Sequence, residues 1–128
     1  METSSKTIVR RYLEEVISTG NLERVSEFIA PDNVEAAKDH IRAIRITYPD
    51  LQVTITTQIA EDDLVATRLV ATGTHRGHLF GMEPTNKTIR IDAVNIDRIR
   101  DGKIVEHWGA ANTLEALLEI GALPLQRE

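Results

Sequence analysis

T-I-R-I-D-A-V-N-I-D-R-I-R (88–100), D-G (101–102) and K-I-V-E-H-W-G-A-A-N (103–112) form the stretch that decides how this chain folds. Two runs rich in β-branched residues flank a two-residue Asp-Gly turn, a strong short-range signal for a β-hairpin with a type I′ turn. Asp tolerates positive φ, and Gly adopts it without a Cβ penalty. If Asp101 and Gly102 alone form the loop, Arg100 faces Lys103, and an uninterrupted ladder then sets Asp97 opposite Glu106, Asn95 opposite Trp108, Ala93 opposite Ala110 and Ile91 opposite Asn112. Side chains alternate between faces along a strand, so these residues are expected to share one face. That face would carry two acids, two amides and the single tryptophan of the chain.

Upstream of the hairpin, H-R-G-H-L-F-G-M-E-P-T-N-K (75–87) reads as a glycine-studded loop. Before it, Leu64 to Thr74 reads as a long strand, joined through Glu61-Asp62-Asp63 to an earlier one in which Leu51, Val53, Ile55 and Ile59 alternate with polar residues. Such alternation marks a strand covered on one face. The first half of the chain has the helical period instead. Ile8, Val9, Tyr12, Leu13, Val16 and Ile17 form one stripe between about Ser5 and Thr19, with Gly20 as a stop and Asn21 as an N-cap. A short second helix carries Leu22, Val25, Phe28 and Ile29; a third follows Pro31-Asp32-Asn33, carries Val34, Ala37, Ile41 and Ile44, and ends at Pro49. A last helix runs from about Thr113 to Ile120 and closes at Gly121. Helices first and antiparallel strands after them give an α+β fold, one domain over residues 1–128, with helices packed on one side of a curved sheet around a pocket.

Composition narrows the function. A chain of 128 residues with 41% apolar and 27% charged residues reads as an ordinary globular domain. A net charge of −5 without a Lys/Arg cluster argues against a nucleic-acid or anionic-membrane partner. The absence of cysteine removes disulfides, thiolate nucleophiles and Cys-ligated zinc. No apolar run has the length of a membrane span, and the first residues lack the apolar segment of a signal peptide, so a cytoplasmic location is expected. His/Asp/Glu spacing suggests no metal site, and neither a G-x-S-x-G elbow nor a glycine-rich phosphate loop is present.

Several stretches together resemble the SnoaL-like polyketide cyclase family, with its NTF2-like cone. These are Pro49-Asp50-Leu51, G-T-H-R-G (73–77) followed by F-G-M-E-P-T-N-K (80–87), R-I-R-D-G-K-I-V-E-H-W (98–108) and L-E-A-L-L-E-I-G-A-L-P (114–124). The resemblance implies acid–base catalysis of an intramolecular aldol closure without cofactor, on a small molecule, in a homodimer formed through the outer face of the sheet. It also implies a catalytic Asp four residues beyond the tryptophan. Here that position is Asn112, an amide that can donate a hydrogen bond but cannot carry a proton near neutral pH. The family's histidine and glycine loop between its second and third helices is likewise missing. The fold hosts many reactions, so it does not by itself name one.

On this reading Asp97 and Glu106 become the candidate proton carriers, because two opposed carboxylates push one pKa upward. A bulge at the turn would break that facing, and a nearby Arg68 or Arg90 would neutralise the pair. Asn112 and Asn95 are candidate carbonyl donors, with Asn112 alternatively a helix cap. Trp108, Tyr12, His40, Phe80 and Met82 are candidate pocket lining. His107 falls on the face opposite Trp108 and reads as packing or interface; His75 reads as a shape feature of its loop. The leading expectation is a cofactor-free cyclase or isomerase acting on a flat, largely apolar, carbonyl-bearing molecule. The alternatives are a non-catalytic binding or dimerisation module, or an epoxide hydrolase, for which no Asp–Arg–Asp set can be placed.

Overall fold

In the computed structural model, residues 4–78 and 82–122 are described, and four antiparallel strands in the order β1-β2-β3-β4 form a single sheet. They are β1 (Gln52–Glu61), β2 (Leu64–Thr74), β3 (Thr88–Arg100) and β4 (Lys103–Ala111). The helices are α1 (Ser5–Arg11), α2 (Val25–Phe28), α3 (Val34–Thr47) and α4 (Thr113–Glu119). α1 runs on into a π-helical segment, Tyr12–Ile17, and short 3-10 turns at Leu22–Arg24 and Pro31–Asn33 lead into α2 and α3. This is the α+β arrangement expected from the order of periodicities, and the cone is the one the family resemblance implied.

The apolar stripe of the first helix does what its spacing requires. Val9, Leu13 and Val16 are buried against Val25, Phe28, Val65 and Leu69 in one core; Tyr48, Leu51, Ile89, Leu117 and Ile120 form a second. Asn21, expected to cap the second helix, makes no side-chain cap. Arg45 instead ties this corner together, donating from Nη1 to the carbonyls of Ile17, Ser18 and Leu51 and from Nη2 to that of Pro49. Those carbonyls lie at the end of the first helix and in the connection to β1, where a free oxygen would go unpaired.

Two bulges shape the sheet. In β1, pairing shifts between Ile55 and Thr57, so Gln58 turns inward to bond the Lys6 carbonyl and Thr67 Oγ1, while Ile59 turns outward. The simple alternation that placed Ile59 beside Val53 therefore fails at Thr56. In the hairpin, Asp101 (φ 51°) and Gly102 (φ 74°) make the expected turn, with Arg100 opposite Lys103 and Ile99 opposite Ile104. Val105 is then an extra residue, and beyond it the register runs Arg98 to Glu106, Asp97 to His107, Ile96 to Trp108 and Asn95 to Gly109. The segment before α3 holds the bulge in place. Ala30 N–H donates to the Ile104 carbonyl, Asn33 Nδ2 to the Val105 carbonyl, and Lys103 Nζ to the carbonyls of Ser26 and Glu27.

Candidate active site

That bulge corrects the expected site. With no extra residue, Asp97 would oppose Glu106 and Trp108 would share its face; with Val105 inserted, Glu106 meets Arg98 and Asp97 meets the ring of His107 instead. Glu106 stands across from Arg98, its carboxylate 3.3 Å from Arg98 Nε, and Arg98 also binds Asp63 at 2.7 Å. Asp97 turns inward and is 3% exposed, with Oδ1 2.6 Å from His107 Nδ1. Trp108 turns to the outer face, 49% exposed, beside Ile96. The slip has a physical motive, since like charges directly opposed destabilise a ladder and opposite ones support it. That penalty, visible in the sequence, was the signal that could have found His107.

The inner face of the sheet, the first helix and α3 enclose a cavity of about 570 Å³. This lies in the range of small-molecule sites. Its walls are mainly apolar, from Leu13, Ile44, Leu51, Leu69 and Ile91 among others. The stripe of α3 faces this space, which explains why Ala37 and Ile44 are only partly buried although they sit on its apolar side. Tyr12, His40, Asn95, Asp97 and His107 bring polar groups to the wall, and Asn33, Glu106 and Thr113 border it.

The electrostatics of this set differ group by group. An ionised carboxylate only accepts, so the short bond to Asp97 places a proton on His107 Nδ1 and leaves Nε2 for other partners. The hydrogen bond that His107 donates to Asp97 raises the His107 pKa, against a smaller opposing effect of burial. His40 is shifted the other way, first by burial and then by repulsion from His107, so it favours the neutral ring. Burial, helped by the Asp97 charge, pushes Tyr12 up to about 12 and keeps it a neutral hydroxyl. Asn95 makes no side-chain hydrogen bond among the described residues.

The remaining sequence candidates lie elsewhere. Asn112 is not on the cavity wall. It sits at the N-cap position of α4 without capping it, and it closes the β3 ladder by accepting from Asp92 N–H through Oδ1 at 2.9 Å. Met82 packs against the second core and does not line the cavity. Phe80 lies outside the described residues. His75 is fully buried, its Nδ1 accepting from Thr85 N–H at 3.3 Å, and holds its loop. Among the described residues no three metal-ligating side chains converge, and no helix is long and apolar enough to cross a membrane.

Known proteins share this shape. The chain is similar to IdmH of Streptomyces antibioticus, a proposed polyketide cyclase, at 28% identity and a TM-score of 0.83, covering 93% of this chain and 99% of that one. It is also similar to AclR of Streptomyces galilaeus, a proposed hydroxylase, at 26% identity and a TM-score of 0.82, covering 97% and 85%. A proposed polyketide cyclase of Acidithiobacillus ferrooxidans, 23% identical with a TM-score of 0.81, shares the fold over 94% of this chain and 97% of its own. No curated protein matches the chain significantly. The model of the SnoaL-like polyketide cyclases matches residues 7–120, and the chain belongs to that family.

Proposed function

We propose that this protein is a cofactor-independent enzyme of the cyclase or isomerase type, moving a proton on a largely apolar, carbonyl-bearing small molecule with the Asp97–His107 pair. The supporting observation is the 2.6 Å bond between a buried carboxylate and an imidazole in the wall of a mainly apolar cavity. Asp97 fixes the tautomer of His107 and stabilises the imidazolium that forms when Nε2 takes a proton from a carbon next to the carbonyl. A neutral Tyr12 hydroxyl and the Asn95 amide supply hydrogen bonds to the enolate oxygen. In an intramolecular aldol closure, the enolate carbon attacks a second carbonyl of the same molecule. A C–C bond forms, the C=O π bond becomes an alkoxide, and His107 returns the proton to that oxygen. No oxidant or reductant is consumed.

A binding module without catalysis is the second reading, favoured by Asn112, which stands where the family resemblance implies an Asp and is committed to the β3 backbone. An epoxide hydrolase is less well supported, since no arginine lines the cavity among the described residues. The test uses 2-tetralone, a flat ketone with acidic α-protons, in D₂O. Exchange above the buffer rate that is lost in Asp97→Asn and His107→Gln supports the enzyme. Binding without exchange in the unaltered protein supports the module.

The outer face of the sheet suits a second copy of this chain. Ile59, Ala66, Ile96 and Trp108 are paired in one row across all four strands, beside a second row of Thr57, Arg68, Val94 and Ala110. Ile59, Ile96, Val94 and Trp108 are exposed there. The row Glu61, Leu64, Arg98 and Glu106 borders these two rows on the hairpin side. A two-fold axis through the stripe would bury apolar on apolar.

A further inference from the structure

Gly109 lies directly opposite Asn95 in the β3–β4 ladder, on the face that looks into the cavity. A Cβ placed on Gly109 would come within 2.8 Å of Asn95 Oδ1 and 3.5 Å of His107 Nε2. The first distance is too short for any real side chain, and the second is ordinary contact. The space a side chain would need at 109 is therefore taken up by the amide oxygen of Asn95, with the ring nitrogen of His107 that faces away from Asp97 at its edge. Gly109 has no positive φ, so the backbone does not demand glycine; the demand comes from what stands in front of it. Because the obstructed group is the end of a flexible side chain, a methyl group here would displace the Asn95 amide rather than the strand.

We propose that Gly109 is a positioning and specificity-determining residue. Its bare Cα lets Asn95 Oδ1 turn toward the β4 backbone near His107 Nε2, so that the two residues address one substrate carbonyl: Asn95 donates from Nδ2 to the oxygen while His107 works at the adjacent carbon. This assignment rests on the Asp97–His107 reading for its chemistry, but the placement of Asn95 by Gly109 does not. Three features support it. Asn95 is a polar group in an apolar wall with no partner among the described protein groups. The Asn95 amide seated in front of Gly109 is close to the nitrogen available to substrate. Gly109 and the neighbouring Ala111 are the small residues on the cavity-facing side of β4, so bulk added at 109 lies in the path of a ligand approaching Nε2.

The test compares Gly109→Ala, Asn95→Ala and the double variant with the unaltered protein, using 2-tetralone as probe. Gly109→Ala is expected to melt within a few degrees of the unaltered protein while weakening probe binding about tenfold. It should also shift the Asn95 side-chain amide resonances of the free protein. Asn95→Ala should weaken binding to a similar extent, and Gly109→Ala added to it should cost less than about threefold more, because the group it displaces is gone. An equal loss in both backgrounds would overturn the proposal, as would unmoved Asn95 resonances in Gly109→Ala. If the unaltered protein binds the probe without exchanging its protons, the catalytic reading fails while the coupling of 109 to 95 stands or falls on binding. If it does not bind the probe, the Asn95 resonances decide.

Discussion

Asp97 Oδ1 and His107 Nδ1 lie 2.6 Å apart, joining neighbouring strands across a ladder that an extra residue, Val105, has shifted by one place. The bond raises the His107 pKa above its ordinary 6.5. Removing the acid must therefore lower it. In Asp97→Asn, proton NMR titration of the His107 ring is expected to show its midpoint moving down. The direction for stability follows from the same linkage: a raised histidine pKa stabilises the fold fully below about 6.5, and that contribution is lost as pH rises through the folded value. Asp97→Asn should narrow the difference in melting temperature between pH 6 and pH 8 that this group causes.

As the general base, His107 must be neutral at Nε2 to accept a proton. The rate of 2-tetralone exchange should rise with pH through a midpoint above 6.5, and His107→Gln should cost about 10²–10⁴-fold in rate. A flat pH profile with an intact rate in the variant would remove His107 from the mechanism.

Glu106 gives the opposite expectation. Its carboxylate is half exposed and pairs with Arg98 on the outside of the strand. Glu106→Gln should change the exchange rate less than about threefold, and stability by about 0–1 kcal/mol, as for exposed ion pairs generally. Urea unfolding and the exchange assay check both.

The chain has two tyrosines, Tyr12 and Tyr48, and burial raises both. Phenolate absorbance near 295 nm should therefore be weak at pH 10 and grow only beyond it, with Tyr12 titrating at about 12. Tyr12→Phe should remove the later of the two steps.

Ile96 and Trp108 offer a test of the outer face. If two copies meet there, Ile96→Glu should give a monomer by light scattering at concentrations where the unaltered chain is a dimer, with the 2-tetralone affinity of each cavity unchanged. A monomer in both would leave the stripe without this partner.

Much of the fold could be read from the chain itself because its signals are local. Asp101-Gly102 permits few turns, the stripe from Ile8 to Ile17 admits one face, and Gly20 and Pro49 stop what precedes them. The candidate site was less legible because it depends on two bulges. The β-branched residues around Thr56 and Val105 do not themselves mark an inserted position, and only the second bulge had an indirect sign, the clash of Asp97 with Glu106 in the unshifted register; yet each insertion exchanges inside for outside from there on. Thus Ile59 and Trp108 went outward, and Gln58 and His107 inward. Tyr12, His40 and Asn95 line the cavity, and their positions do not depend on the slipped part of β4. Asn112 was read through the family pattern, and its actual bond, to the backbone of Asp92, is a long-range contact with no sequence mark.

The π-helical segment from Tyr12 to Ile17 has an effect on motion. Its Ser18 N–H reaches back to the Leu13 carbonyl, five residues away, so the coil is wider and less tightly wound than the α-helix before it. The rod carrying the phenol is thus softest where it borders the hollow, and its amides there should trade hydrogen for deuterium faster than those of Ile8 and Val9. Filling the hollow with a guest molecule should slow that trade at these turns first, giving an entry signal that needs no knowledge of the guest's chemistry.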